Sequence, residues 1–301
     1  MEIIAVANEK GGVAKTTTTL SMGGALVEAG FEVLLVDLDT QANLTLGLGV
    51  SPVKVRRSIA DVLMSSASIL SISRETSIPG LDLAPSNAGM GLAERFLPVR
   101  QDYEFLLKNS LSVVSTYDYV ILDCPPSLGA VTLNALTAAH RVIAPTQPEY
   151  FSAYGLRSVM GMIRRVRGLS APNVEPQQPA NNAPTENQTI ENPDSTQNPS
   201  NIDQPPTRPR GTNPALIYHI LITMMDRRNR IHRTLSEQLR ATFGEGLLQT
   251  VIEVDTKLRE STVAGQPITH YYSNSRSAHQ YRALAQEIVQ YAKEKDPEPD
   301  R

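Results

Sequence analysis

The sequence predicts an α/β protein with a doubly wound, mostly parallel β-sheet that is flanked by helices. Short apolar runs, which suit strands covered on both faces, alternate along the chain with longer helical stretches. The first apolar run leads straight into a glycine-rich loop, and two later runs end in aspartate. Alternation of this kind indicates a parallel sheet, whose ligands bind at the carboxyl ends of the strands. We expect residues 1–301 to form a single domain on this plan.

The predicted elements follow one another in regular order. Strands are expected where large aliphatic residues form short continuous runs, at residues 3–7, 33–36, 81–84, 119–122, 142–144, 216–223 and 250–252. Helices are expected in the longer stretches between them, at residues 16–29, 103–114, 128–138, 155–167, 234–242 and 278–293. The loop after the first strand therefore lies at the carboxyl edge of the sheet.

The composition fits a protein of the cytosol. With 301 residues, 41% of them hydrophobic, the chain can bury a substantial core. Its single cysteine, Cys124, excludes a disulfide framework. No basic and apolar leader opens the sequence, and no apolar run reaches the roughly 18 to 20 residues that a spanning helix needs. A net charge of −3 argues against a general basic coat, so any contact with nucleic acid must come from local patches.

Residues 171–212 differ sharply from the rest of the chain. They contain no aromatic residue, are rich in Pro, Asn and Gln, and include only three large aliphatic residues. Such a segment cannot bury enough apolar surface to offset its ordering entropy, so we expect a disordered insertion in a surface loop. A linker between two domains is the alternative, although residues 216–223 look like another strand of the same sheet. The acidic, proline-broken tail at residues 294–301 is also expected to be disordered.

Residues 10–17, Lys-Gly-Gly-Val-Ala-Lys-Thr-Thr, form the glycine-rich loop and the start of the next helix. Loop amides that point inward can cradle phosphate, a lysine neutralises its charge, and a hydroxyl can hold Mg²⁺. The ordinary phosphate-loop pattern G-x-x-x-x-G-K-[ST] fails, because Glu9 and Ala14 stand at its two glycines. A Gly-Gly turn with two surface lysines is the simplest alternative.

This stretch instead resembles the deviant Walker A motif of the ParA/MinD family of ATPases, which have a P-loop NTPase fold. The resemblance implies that ATP and Mg²⁺ bind, with the nucleotide held by Lys10, Gly11, Gly12, Val13, Ala14, Lys15, Thr16 and Thr17. It further implies that Lys15 binds the phosphates, that Thr16 binds the metal, and that Lys10 reaches the partner's nucleotide across a dimer. Ala14 stands where most relatives have glycine, and it is strained if its φ is positive.

Two aspartate-bearing segments complete the predicted site. In residues 37–39 the two carboxylates are separated by one residue, so both project to one side of an extended chain. This run resembles the D-x-D-x-Q switch segment of the family, which implies that Asp39 positions the attacking water and that Asp37 lies near the metal. Residues 119–126 resemble the Walker B strand followed by D-x-P-P, which implies that Asp123 supports Mg²⁺ through water. The expected catalytic residues are therefore Lys10, Lys15 and Asp39.

The resemblance covers the rest of the chain except the insertion. Residues 223–226 and 252–255 correspond to two loops that enclose the adenine and ribose in relatives. We accordingly assign the base contacts to Met225, Asp226 and Asp255. The second loop departs from the common pattern, because Glu253 replaces a proline that is often found there.

A cluster of basic residues follows the insertion on an otherwise acidic chain. Arginine suits phosphate through its planar fork, and the matching regions of chromosome-partitioning relatives bind DNA non-specifically once ATP has closed the dimer. We therefore expect double-stranded DNA to contact Arg227, Arg228, Arg230, Arg233, Lys257 and Arg259. A solvated basic face paired with nearby acidic residues is the alternative.

The resemblance implies a slow, Mg²⁺-dependent ATP hydrolase that forms a homodimer on ATP, binds the nucleoid in the cytoplasm and segregates plasmid or chromosome DNA. A ParB-like partner would stimulate hydrolysis. Two alternatives remain open, namely a relative that positions a protein cargo by the same cycle and a MinD-like regulator at a membrane surface. The acidic tail lacks the basic amphipathic helix that the second alternative needs, so no stable membrane contact is expected.

Overall fold

The computed structural model describes residues 1–150, 152–169 and 211–295. This part of the chain contains one eight-stranded sheet, made of β1 (Glu2–Val6), β2 (Val33–Asp37), β3 (Arg74–Glu75), β4 (Leu81–Ala84), β5 (Tyr119–Asp123), β6 (Arg141–Thr146), β7 (Ile217–Met225) and β8 (Leu247–Glu253). The strand order is β3-β4-β2-β5-β1-β6-β7-β8, and all pairs are parallel except β3 with β4. The predicted doubly wound, mostly parallel sheet is confirmed.

Helices flank the sheet on both faces. In the described residues they are α1 (Lys15–Glu28), α2 (Asn43–Leu46), α3 (Ile59–Ser65), α4 (Ile69–Ile72), α5 (Met90–Phe96), α6 (Leu106–Leu111), α7 (Ala130–Ala138), α8 (Ser152–Val166), α9 (Arg230–Phe243), α10 (Thr256–Val263), α11 (Ile268–Tyr271) and α12 (Arg276–Lys295). The predicted strands and helices are all present, with ends that shift by a few residues. The two-residue edge strand β3 and the short helices α2 to α5, α10 and α11 were not predicted, because elements of this length carry little periodicity.

The core occupies both faces of the sheet because side chains alternate along each strand. On β1, Ile3 and Ala5 join a cluster that includes residues of α3 and α5 to α8. Ile4 and Val6 join a second cluster on the other face, with residues of α1, α11 and α12. Every residue of β2 and β5 is buried, which explains why their sequences are continuously apolar up to the terminal aspartate.

The chain on either side of the predicted insertion returns to the same place. Asn213 donates its backbone N–H to the carbonyl of Val166 at the end of α8, at 2.9 Å, and its side-chain amide donates to two carbonyls at the end of α7. Strand β7 then pairs in parallel with β6. This geometry favours an insertion within one sheet over a linker between two domains. Residues 170–210 lie outside the described residues, so the predicted disorder stays a prediction.

The carboxyl-terminal helix is longer than expected. Helix α12 continues to Lys295, two residues into the tail that was predicted to be disordered. Residues 296–301 lie outside the described part of the chain.

A buried basic pair lies at the amino-terminal side of the sheet. Arg141, only 2% exposed, contacts Nε2 of His219 and lies 3.6 Å from Oε1 of Glu2. The ring of Tyr291 stacks on His219 with centroids 4.9 Å apart. Burial, together with the neighbouring charge of Arg141, lowers the pKa of His219 to about 4. The folded protein therefore keeps this histidine neutral.

Acidification should destabilise the protein through His219. Because the folded-state pKa of about 4 lies below the ordinary value of 6.5, the unfolded chain takes up the proton first. The contribution of neutral His219 to the free energy of unfolding is therefore complete above pH 6.5. It is lost as the pH falls towards 4, by up to about 3 kcal/mol. Urea unfolding at neutral pH and near pH 4 should show a smaller loss in His219→Gln than in the wild type. The matched control is His279→Gln, at an exposed histidine; equal losses in all three proteins would contradict the assignment.

Candidate nucleotide-binding site

The predicted site residues meet at the carboxyl edge of the sheet. Strand β5 lies between β1 and β2, with Asp123 opposite Val6 on one side and opposite Asp37 on the other. The glycine-rich loop leaves β1 at this level and leads into α1. The three segments that the sequence assigned to one site are therefore neighbours, as the parallel order of the strands requires.

The glycine-rich loop has the shape of an open cradle. Gly12 and Ala14 both have left-handed backbones, with φ of 74° and 68°. A Cβ added at Gly11 or Gly12 would meet no described atom within 4 Å, so the space above the loop is open. Lys15 begins the 14-residue helix α1, whose first N–H groups and dipole favour an anion at this position. The loop thus fits a phosphate chain.

Lys15 brings a positive charge into a buried setting. Its side chain is only 7% exposed, and Nζ donates to the carbonyl of Lys10 at 3.1 Å. Burial lowers the pKa of Lys15, and the nearby carboxylates of Asp123 and Asp39 oppose that shift. The ammonium therefore lies on the inner wall of the cradle, as predicted for a residue that binds phosphate.

Asp123 and Thr16 form a pair of oxygen ligands beside that ammonium. Thr16 Oγ1 donates to Asp123 Oδ2 at 2.7 Å, and Thr19 Oγ1 donates to the other carboxylate oxygen at 3.4 Å. Burial raises the pKa of Asp123 well above its usual range, and the neighbouring charge of Asp37 adds to the shift. A cation would relieve this repulsion, so the pair fits Mg²⁺.

A magnesium ion bound here would rely largely on the nucleotide and water. Among the described residues, no group of three or more His, Cys, Asp or Glu side chains is arranged to hold a metal ion. Mg²⁺ commonly binds through one or two protein ligands plus substrate phosphates and waters, rather than in an all-protein cage. The donor set of Thr16 and Asp123 agrees with that mode.

Asp37 accepts hydrogen bonds from the chain that follows β2. Its Oδ1 accepts the N–H of Asp39 at 3.1 Å, and its Oδ2 accepts both the N–H and the hydroxyl of Thr45, at 2.8 and 2.6 Å. These donors occupy most of the carboxylate's acceptor capacity. Asp37 therefore fixes the loop between β2 and α2. Because it also stands opposite Asp123 on the neighbouring strand, its predicted place near the metal stays a prediction.

Asp39 is held at the cradle by that loop. Its Oδ1 accepts the N–H of Gln41 at 2.9 Å, and its carbonyl accepts the hydroxyl of Ser86 at 2.6 Å. Ser86 also donates its N–H to Thr45. Neither Ser86 nor Thr45 was predicted as a site residue. Ser86 follows β4, so the rule that ligand sites form at strand ends could have indicated it.

Lys10 is tied to its own chain. Its Nζ lies 2.8 Å from Glu149 Oε2 and 3.4 Å from Gln147 Oε1. Gln147 also donates to the carbonyl of Gly12 at 3.1 Å. The loop between β6 and α8 therefore clamps the cradle from the side. The sequence indicated this loop only by family resemblance and gave no role to Gln147 or Glu149.

A cavity of about 360 Å³ opens beside the cradle and fits a nucleoside. It is bounded by the start of α1, the end of β8 and the helix α10, and its lining residues include Ala14, Thr17, Met224, Val254 and Arg259. Its mostly apolar wall suits a base, whose faces bury well against aliphatic side chains. The loops at 223–226 and 252–255 are thus near the expected place.

Of the three assigned base contacts, Asp255 alone lines this cavity. The Met225 side chain is buried in the hydrophobic core, whereas Met224 lines the cavity. The strand is irregular here: Met224 has a φ of 53°, and the register between β7 and β8 shifts, which inverts the expected alternation. Asp226 does not line the cavity and instead accepts from Arg228. Asp255 does line it, although its carboxylate also caps α10 and accepts from Ser277.

The residues predicted to bind DNA are exposed but mostly paired with acidic groups or carbonyls. Arg227 lies 2.6 Å from Glu253, Arg228 lies 3.2 Å from Asp226, and Lys257 lies 2.7 Å from Glu260. Arg233 donates to the carbonyl of Arg227. The partners of Arg228 and Lys257 lie at the surface, where a DNA phosphate could replace them. Glu253 is instead buried and also pairs with Arg276.

The remaining two predicted DNA contacts lie in different places. Arg230 begins α9 and is exposed, whereas Arg259 lines the cavity beside the cradle. The DNA contacts stay a prediction. Within the part of the chain that the structure describes, no helix is both long and apolar enough to cross a membrane.

Comparison with known proteins identifies a family and full-length relatives. The family model AAA_31, an AAA domain, matches residues 1–175. The chain is 32% identical over 292 residues to the chromosome partitioning protein ParA of Caulobacter vibrioides, covering 96% of this chain and 94% of that protein. It is 34% identical over 289 residues to the sporulation initiation inhibitor protein Soj of Bacillus subtilis, covering 96% and 98% of the two chains.

A solved structure matches equally broadly. The cobyrinic acid a,c-diamide synthase from Mycobacterium smegmatis, with bound ATP analog and magnesium, has a TM-score of 0.73 and 31% sequence identity. The match covers 100% of this chain and 99% of that chain.

Relieving the strain at Ala14 should stabilise the protein. A left-handed backbone costs alanine roughly 1 to 2 kcal/mol, which glycine avoids, although glycine adds entropy to the unfolded chain. We expect Ala14→Gly to raise the free energy of unfolding by about 0.5 to 1 kcal/mol in urea titrations without nucleotide. The matched control is Ala29→Gly, at an exposed position with φ of −82°, which should give no gain. A loss of stability in Ala14→Gly would contradict the strain.

Proposed function

We propose that the chain, which belongs to the ParA family of ATPases, is an Mg²⁺-dependent ATP hydrolase. Its nucleotide state would control its affinity for DNA. One observation supports this most strongly. The buried ammonium of Lys15 and the carboxylates of Asp39 and Asp123 converge beside an open loop at the amino-terminal end of α1. Such an arrangement neutralises a phosphate chain and places acidic oxygens where a metal and a water are needed.

The chain's own residues divide the tasks of ATP binding. The loop amides at residues 11–17 and the Lys15 ammonium would hold the phosphates, while the neighbouring cavity would hold the adenosine. Thr16 and Asp123, whose oxygens lie 2.7 Å apart, would hold the metal, Asp123 through water. When bound, Mg²⁺ supplies charge neutralisation on the terminal phosphates.

Asp39 is placed to orient the attacking water. Its Oδ1 is engaged by the N–H of Gln41, and its main chain is held by Ser86, so the carboxylate is fixed in position. The other oxygen can accept a hydrogen bond from water and take its proton as the water oxygen bonds to the terminal phosphorus. The bond from that phosphorus to the bridging oxygen then breaks, and ADP and phosphate leave.

Lys10 is the residue through which a second subunit would act. In the single chain its ammonium is held by Glu149 and Gln147. For Lys10 to reach a partner's nucleotide, the contact with Glu149 must break. Hydrolysis would therefore be slow in the monomer and would depend on formation of a homodimer.

The proposed cellular role is segregation of plasmid or chromosome DNA on the nucleoid, with a ParB-like protein that stimulates hydrolysis. The exposed arginines at the start of α9 and in the loop before it would contact the DNA backbone in the ATP-bound dimer. The surface pair of Arg228 with Asp226 is one that a phosphate can displace, whereas Arg227 is paired with the buried Glu253.

Binding to non-specific double-stranded DNA tests this function. We expect binding only with ATP, not with ADP or without nucleotide, and a steep loss of affinity at higher salt because phosphate contacts release counterions. Arg230→Glu should weaken binding, whereas Arg74→Glu, at an exposed arginine on the edge strand β3, should not. DNA binding that does not depend on the nucleotide, or an equal loss of DNA affinity in both variants, would contradict the proposal.

Glu149→Gln should favour the dimer by releasing Lys10. The exposed ion pair is worth at most about 1 kcal/mol, so the dissociation constant of the ATP-bound dimer should fall roughly two- to fivefold. Analytical ultracentrifugation with a non-hydrolysable ATP analogue measures this. Lys10→Ala should instead weaken the dimer, and Glu75→Gln on β3 serves as the matched surface control. Unchanged dimerisation in both Glu149→Gln and Lys10→Ala would refute the role of the tether.

A further inference from the structure

An apolar groove beside the site lies between α8 and α9. It encloses a cavity of about 580 Å³, a volume typical of binding sites. One wall carries Arg157 and Met160 of α8 and Arg167 in the turn that follows it, and the other carries Leu235, Leu239 and Phe243 of α9. The groove is separate from the nucleotide cavity, with which it shares no lining residue.

Helix α9 leaves its apolar face incompletely covered. Leu235, Leu239 and Phe243 are spaced four residues apart and therefore lie on one face of the helix. None of the 14 residues of α9 is fully buried, in contrast to α7, all of whose residues are buried. A face of regularly spaced large side chains above an open groove is suited to receive a further helix, whose apolar residues recur every three or four positions.

The opposite wall adds positive charge. Arg157, Met160, Arg164 and Arg167 follow at intervals of three and four residues, so they form one stripe along α8 and the turn at its end. The Nε atom of Arg167 is buried and has no hydrogen-bond partner among the described residues. A buried donor without an acceptor is costly, and a carboxylate brought into the groove would satisfy it.

We propose that the groove between α8 and α9 binds an acidic amphipathic helix of a partner protein. The apolar residues of that helix would pack on Leu235, Leu239 and Phe243, and its carboxylates would pair with Arg157 and Arg167. The apolar wall favours a peptide over a nucleic-acid backbone, which has no large apolar groups to bury there.

Residues that line this groove also contact Lys10, which connects the groove to the proposed ATPase cycle. This part of the inference rests on the proposed function. Gln147 and Glu149 line the mouth and also hold the ammonium of Lys10. A partner seated in the groove therefore contacts the loop that keeps Lys10 within its own chain. The groove is thus placed for a partner that regulates hydrolysis.

Selection from an unbiased peptide library tests the groove directly. The full-length protein, without nucleotide or DNA, would be presented with displayed random peptides of about 16 residues, roughly four helical turns. We expect selected peptides to be enriched in Asp and Glu and to carry Leu, Ile or Phe at helical spacing. A representative synthetic peptide should bind at least about tenfold more weakly to Arg157→Glu/Arg167→Glu.

Two further variants keep the test decisive. Leu239→Ala should also weaken peptide binding, because it removes part of the apolar wall. It replaces the double arginine variant in the test if circular dichroism shows that the arginine variant does not fold. Arg74→Glu on β3 should leave peptide affinity unchanged. The proposal would be overturned if no peptides were selected, if the selected peptides were basic, or if neither groove variant lowered the peptide affinity. Loss of ATP-dependent DNA binding in the arginine variant with unchanged peptide affinity would also overturn it, because the stripe would then belong to a DNA surface.

The peptide measurement stands apart from the test of the proposed function. It needs neither ATP nor DNA, so a protein that fails to bind DNA can still bind the peptide, and the reverse also holds. Measuring ATP hydrolysis with the selected peptide then reports the connection to Lys10.

Discussion

The site depends on one electrostatic constraint, which is the gathering of acidic side chains around a single buried ammonium. Asp37 and Asp123 end adjacent parallel strands and stand opposite each other, and Asp39 follows two residues later. Burial raises the pKa of Asp37 and of Asp123, because the charged form of each carboxyl group loses its hydration there. Lys15 offsets part of this repulsion, and Thr16, Thr19 and Thr45 donate hydrogen bonds to the carboxylates. The surplus of negative charge is what makes a divalent cation a fitting addition.

Much of this site could be predicted because strand ends are encoded locally. An apolar run that ends in aspartate specifies both the strand and the place of its carboxylate, as for β2 and β5. Parallel order then brings the ends together without further information. The partners of those carboxylates could not be predicted in the same way. Thr45 on the short helix α2 and Ser86 in the loop after β4 reach Asp37 and Asp39 through local geometry that leaves no period in the sequence.

The side chains that line the cavity beside the cradle could not be predicted from the local sequence. The family resemblance assigned Met225 to the base, but the backbone at Met224 turns to a φ of 53° and the pairing with β8 slips. One such irregularity exchanges the faces of neighbouring residues. Charge patterns fail for a related reason, since an arginine cluster in sequence does not reveal that Arg227 and Arg276 share Glu253. The loop at residues 147–149 connects these parts, because it touches the cradle, Lys10 and the groove beside α8.

In the proposed ATP site, Lys15 serves binding and Asp39 serves chemistry. Nucleotide binding and single-turnover hydrolysis, measured on Lys15→Ala and Asp39→Asn in the presence of Mg²⁺, separate the two roles. We expect Lys15→Ala to lose ATP binding, and Asp39→Asn to bind ATP like the wild type but to hydrolyse it at least about 100-fold more slowly. Wild-type turnover in Asp39→Asn, or unchanged binding in Lys15→Ala, would contradict these roles.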